Sequence, residues 1–66
     1  MTVEDIEQEI AHIRACAGDP EIAHGREDQL YRDFVRFLAK EAPEPYATLA
    51  AAILQTRGVS FPRWCA

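Results

Sequence analysis

Cysteine, glycine and long apolar runs are all scarce in this sequence, and each shortage removes a class of protein. Two cysteines, Cys16 and Cys65, are too few for a disulfide scaffold, and a reducing compartment would keep both as thiols. With three glycines, four prolines, 48% hydrophobic and 27% charged residues, the composition is that of a folded domain rather than a disordered or low-complexity segment. No stretch approaches the roughly 18 apolar residues of a membrane span. The opening turn carries Glu4, Asp5 and Glu7, where a secretory leader would be basic and then apolar, so the expected location is the cytoplasm. Basic residues number seven against eleven acidic ones, a net charge of -4. That balance argues against a protein whose main task is to grip nucleic-acid phosphates or an anionic membrane.

What the sequence does contain is helix. A chain of 66 residues and 7.4 kDa forms one domain, residues 1–66, exposing roughly 4,200 Å² when compact. So small a core leaves a thin stability margin, and such chains usually lean on a disulfide, a metal, a partner or a second copy. Val3, Ile6, Ile10, Ile13 and Ala17 recur at spacings of three and four, predicting a first helix over about 3–17 with Thr2 as its cap and Gly18 as its stop. Asp19 and Pro20 form a cap followed by a residue suited to the first helical position. The second helix is predicted over about 20–41, ending at the Ala42-Pro43-Glu44-Pro45 breaker. Its apolar arc, from Ala23 through Leu30, Tyr31, Phe34, Val35, Phe37, Leu38 and Ala39, is wide enough to need a neighbour on each side. A third helix is predicted over about 45–57, closed by Gly58, and it has no charge between Tyr46 and Thr56. The fold class is therefore all-α: a three-helix bundle, or a helical hairpin plus a third helix, with a short aromatic turn over 60–66 started by Ser60.

Four groups of side chains invite a chemical reading. His12, Cys16, His24 and Cys65 are residue types that zinc prefers, but no Cys-x-x-Cys or His-x-x-x-His pair preorganises them. His12 falls opposite the isoleucine seam, toward solvent, so no metal or cofactor is expected. His24, Glu27, Asp28 and Tyr31 share one side of the second helix. They read as a structural hydrogen-bond cluster fixing the junction of the first two helices, with a general-base role as the alternative. Arg32, Arg36 and Lys40, joined by Arg26, form a basic row that Asp33 interrupts. The third helix, which would have to read bases, carries no basic residue before Arg57. The fourth group is the acidic face of the first helix with Asp19 and Glu21, which confers solubility.

The uncharged third helix has more apolar circumference than a chain this short can cover. Leu49, Ala50, Ile53 and Leu54, with Phe61 and Trp64 in the tail, are therefore expected to form a protein-contact surface, and the chain to self-associate as a dimer or larger assembly. The run Asp19-Pro20-Glu21, then Ala23, His24, Glu27, Asp28, Leu30 and Tyr31, and the ending Phe61-Pro62-Arg63-Trp64-Cys65-Ala66, resemble small uncharacterised helical proteins encoded in bacterial and bacteriophage genomes. The resemblance covers most of the chain after Ala17. It implies an accessory protein, prophage-borne in context, that binds a host or viral component, and it brings no functional residue with it. The expected function is non-enzymatic and exercised through protein contact. The alternatives are a small metal-binding protein using His12, Cys16, His24 and Cys65, or a weak nucleic-acid-associated regulator.

Overall fold

The computed structural model describes residues 1–62. They form α1 (Val3–Ala15), α2 (Pro20–Glu41) and α3 (Tyr46–Leu54), followed by a 3-10 turn over Gln55–Gly58, with no strand among the described residues. The protein is all-α.

Local chemistry sets most of these boundaries. Thr2 and Asp5 form a reciprocal capping box: the Asp5 amide donates to Thr2 Oγ1 at 3.1 Å and the Thr2 amide donates to Asp5 Oδ2 at 2.9 Å. The first helix ends at Ala15, two residues before the predicted end. The Cys16 amide is shared between the His12 and Ile13 carbonyls and the Ala17 amide turns to Arg14, a tightening of the last turn common at helix ends. Asp19 accepts from the Ile22 amide at 3.3 Å with Pro20 behind it, and α2 runs over the predicted span. It ends where Ala42, preceding proline, turns to extended backbone with φ -74° and ψ 151°.

Pro43 and Pro45 carry the chain into α3, with Pro45 as its cap residue rather than its first helical residue. Thr48 Oγ1 donates to the Glu44 carboxylate one turn back. The third helix is shorter than predicted: beyond Leu54 the backbone winds into the 3-10 turn, closed by the Val59 amide donating to the Thr56 carbonyl at 3.0 Å. No further helical turn begins at Ser60, since residues 60–62 have no regular structure. Trp64, Cys65 and the rest of the predicted aromatic turn lie outside the described residues.

The three helices lie side by side in a layer. α2 is the middle member, packing α1 along one flank and α3 along the other, while α1 and α3 do not touch. Of the two arrangements expected, this is the hairpin with a third helix added. The overall extents are 39 × 33 × 10 Å, far shorter along one axis than along the other two, as for helices laid in a single layer. Half-buried residues recur along two sides of α2: Ala23, Arg26, Leu30, Asp33 and Phe37 toward α1, and Arg32, Val35 and Ala39 toward α3. The wide apolar arc of α2 thus has its two neighbours. Ala50 is the one fully buried residue among those described, at 5% exposure. This corrects its placement on the contact surface, because its methyl group sits where α3 closes on α2 rather than facing outward.

A candidate protein-contact face

A layer one helix deep has two faces, and here they differ sharply. Successive residues of α2 turn through about 100°, which sets Tyr31, Phe34 and Leu38 between the two flanks on one side. Gly25, Gln29, Arg36 and Lys40 fall on the opposite side. On the first side lies a dish of about 300 Å³ walled by Ile6, Leu30, Tyr31, Phe34 and Val35, all but the tyrosine hydroxyl apolar. Beside it runs a cleft of about 400 Å³ between α2 and the end of α3, walled by Tyr31, Val35, Ile53, Leu54 and Phe61 together with the polar His24, Asp28, Arg32, Thr56 and Arg57. Tyr31 and Val35 wall both depressions, so the two hollows join into one surface crossing all three helices. Tyr31, 69% exposed, is the ridge between them.

Helical spacing extends this surface. Val3, Ile6 and Ile10 form one stripe of α1, and Tyr46, Leu49 and Ile53 form one stripe of α3. Val3, Tyr46, Leu49, Ile53 and Phe61 are all more than half exposed. Phe34 stacks on Phe37 with ring centroids 6.5 Å apart. The expected contact residues Leu49, Ile53 and Phe61 therefore belong to this exposed surface, Leu54 is half-buried at its edge, and Ala50 does not belong. Tyr31, Phe34, Val3 and Ile10 were not anticipated. Their signal was present in the apolar spacing of α1 and α2, but a wheel alone does not reveal which side of a helix its neighbours leave open.

The opposite face, apart from the exposed Ile22 at its start, is polar and internally paired. Arg32 Nη1 donates to Gln29 Oε1 at 2.8 Å, Gln29 Nε2 donates to Asp33 Oδ1 at 2.7 Å, and Arg36 lies 3.5 Å from the same Asp33 oxygen. The basic row is thus interleaved with its own acceptors. Arg26, read with that row, is turned away from it toward α1. Its Nε and Nη2 each donate to a Glu9 carboxylate oxygen at 2.9 Å, and Nη2 also reaches His12 Nδ1 at 3.1 Å. Because a guanidinium can only donate, His12 Nδ1 is the acceptor here, and the 3.4 Å approach of Glu9 to the same nitrogen becomes a hydrogen bond only when the ring is protonated. Arg26, through its hydrogen bonds and its charge, holds the Glu9 carboxyl below the ordinary carboxylate range, against the opposing effect of desolvation.

This bidentate pair, not the cluster around His24, ties α1 to α2. His24 Nε2 lies 3.4 Å from Asp28 Oδ1, and both line the cleft with Tyr31 on the α3 side. Glu27 is exposed and takes no part in that lining. The four residues therefore do not fix the helix 1–helix 2 junction, because their side of α2 is turned toward the other neighbour. The candidate metal ligands are drawn to different partners: His12 to Arg26 and Glu9, His24 to Asp28, and the Cys16 thiol to the His12 carbonyl at 2.9 Å. Cys65 lies outside the described residues, among which no group of three or more His, Cys, Asp or Glu side chains is placed to share a metal ion. No helix among them is long and apolar enough to cross a membrane. No protein-family model matches the chain, and neither the curated proteins nor the solved structures contain a significant match.

Proposed function

We propose that this is a small non-enzymatic protein that acts in the cytoplasm through protein contact, self-association included, with the apolar face of its helical layer as the contact surface. One observation carries this reading: an apolar dish between α1 and α2 adjoins, through Tyr31 and Val35, a cleft of mixed polar and apolar lining that reaches α3, while the far side of α2 carries paired polar groups. Soluble chains seldom leave so large a share of their aliphatic and aromatic side chains in water unless a partner covers them. Aromatic residues at the centre of such a patch, here Tyr31 and Phe34, are the usual anchors of a protein interface. The resemblance of the segments around His24 and Phe61 to small bacterial and bacteriophage proteins favours an accessory role, in which the chain docks on a host or viral protein.

Photo-crosslinking in living cells tests the reading. A photoreactive phenylalanine analogue at Phe34 is expected to trap protein adducts, whereas the same analogue at Lys40 on the polar face traps few. Equal yields from the two faces, or none from Phe34, would overturn it.

A further inference from the structure

We propose that the occupant of this face is a second copy of the chain, laid face to face about a two-fold axis that passes close to Tyr31 and Phe34, giving a two-layer dimer of six helices. The inference rests on the reading of the face as a protein-contact surface and names its partner.

The area supports a second copy. The chain exposes 5297 Å², against roughly 4,200 Å² for a compact chain of this mass, an excess of about 1,100 Å². A standard stable interface removes about 800 Å² from each partner, so one copy of equal size absorbs most of the surplus. The radius of gyration agrees: 13.6 Å, where a compact domain of this length has about 11 Å. Stable domains place at least two layers of secondary structure around a shared core. This chain supplies one layer, with Ala50 the one fully buried residue among those described.

The relief of the face also suits its own copy. An isologous interface needs each projection to meet a recess belonging to the same surface. Tyr31 stands as a ridge with the 300 Å³ dish on one side and the 400 Å³ cleft on the other. Projection and recess therefore lie next to each other on the central helix, where a two-fold axis brings each against the other copy. Of the charged groups of α2, Glu27 lies on this face one turn from Tyr31, while His24, Asp28 and Arg32 line the cleft and the others lie on the flanks and the far face, so the like charges that stacking brings together are chiefly the two Glu27 carboxylates.

The test uses the full chain. Sedimentation equilibrium from micromolar to submillimolar protein is expected to give twice the 7.4 kDa chain mass. Phe34→Glu is expected to weaken association by at least about 100-fold, as for a central hot-spot residue, while Lys40→Glu on the polar face changes it less than about threefold. Phe34→Glu could abolish folding outright, so a second variant reads the geometry directly. With Cys16 and Cys65 replaced by serine, Tyr31→Cys is expected to give a disulfide-linked dimer on mild oxidation, and Lys40→Cys is not. A monomer at every concentration whose apolar face binds a hydrophobic dye would overturn the dimer and leave the contact-face reading standing. A dimer crosslinked through Lys40→Cys but not Tyr31→Cys would overturn both.

Discussion

Arg26 shows how a single side chain can hold an element that has little else to hold it. The first helix has no buried residue, and its fastening to α2 combines the half-buried Ile6 and Ile13 with the two-pronged Arg26–Glu9 contact. Planar guanidinium and carboxylate match each other geometrically, which a lysine could not reproduce. Because Glu9 titrates below its ordinary range in the folded chain, its contribution is complete above the unfolded-state pKa. It is lost as pH falls through the lower folded-state value. Thermal melts followed by circular dichroism between pH 7 and pH 3 are therefore expected to show a steeper acid loss in the wild type than in Glu9→Gln. The pair was not legible in the sequence. Glu9 reads as one more acid on a soluble face and Arg26 as the end of a basic row, because they are 17 residues apart and only the helix packing brings them together.

At the scale of the element, caps decide where helices start, and a proline breaker or a tightened last turn decides where they stop. The start of α1 and both ends of α2 were legible because Thr2, Asp19-Pro20 and Ala42-Pro43 act on their own backbone. Removing the capping oxygen with Thr2→Ala is expected to cost about 1 kcal/mol, read as a lowered midpoint in urea. The ends of α1 and α3 were less legible, since a last turn wound as α or 3-10 differs by little in energy. Gly25 offers the converse case. It lies inside α2, a Cβ built on it meets nothing within 4 Å, and its φ is not positive. Gly25→Ala is expected to stabilise the chain by roughly 0.8–1 kcal/mol, raising its melting temperature by about 4–8 °C. Unchanged melting would show that the helix is already frayed there in the folded state.

For the whole molecule, the surplus of apolar surface was legible and its location only in part. The uncharged run from Tyr46 to Thr56 announces a helix with too much grease for a chain of 66 residues, and Leu49 and Ile53 are indeed exposed. That Val3, Ile10, Tyr31 and Phe34 extend the same surface, and that Ala50 leaves it, depends on α1 and α3 taking opposite flanks of α2. Periodicity within one helix carries no information about that choice. If the surplus is covered by a second copy, stability must follow mass action. The melting temperature is then expected to rise with each tenfold increase in protein concentration in the wild type and to be flat in Phe34→Glu.

The absence of contact between α1 and α3 has a consequence for how the chain comes apart. Among the described residues nothing within one chain closes the row of helices into a ring, so in a single copy each outer helix can peel from the middle one without disturbing the other. Substitutions on the two seams, such as Glu9→Gln on one and Leu54→Ala on the other, should then contribute to stability independently. In native-state hydrogen exchange, the amides of α1 should open to solvent ahead of those in α2 and α3, leaving a two-helix remnant for a protease to find after the first segment has been trimmed at the Ala17-Gly18 bend.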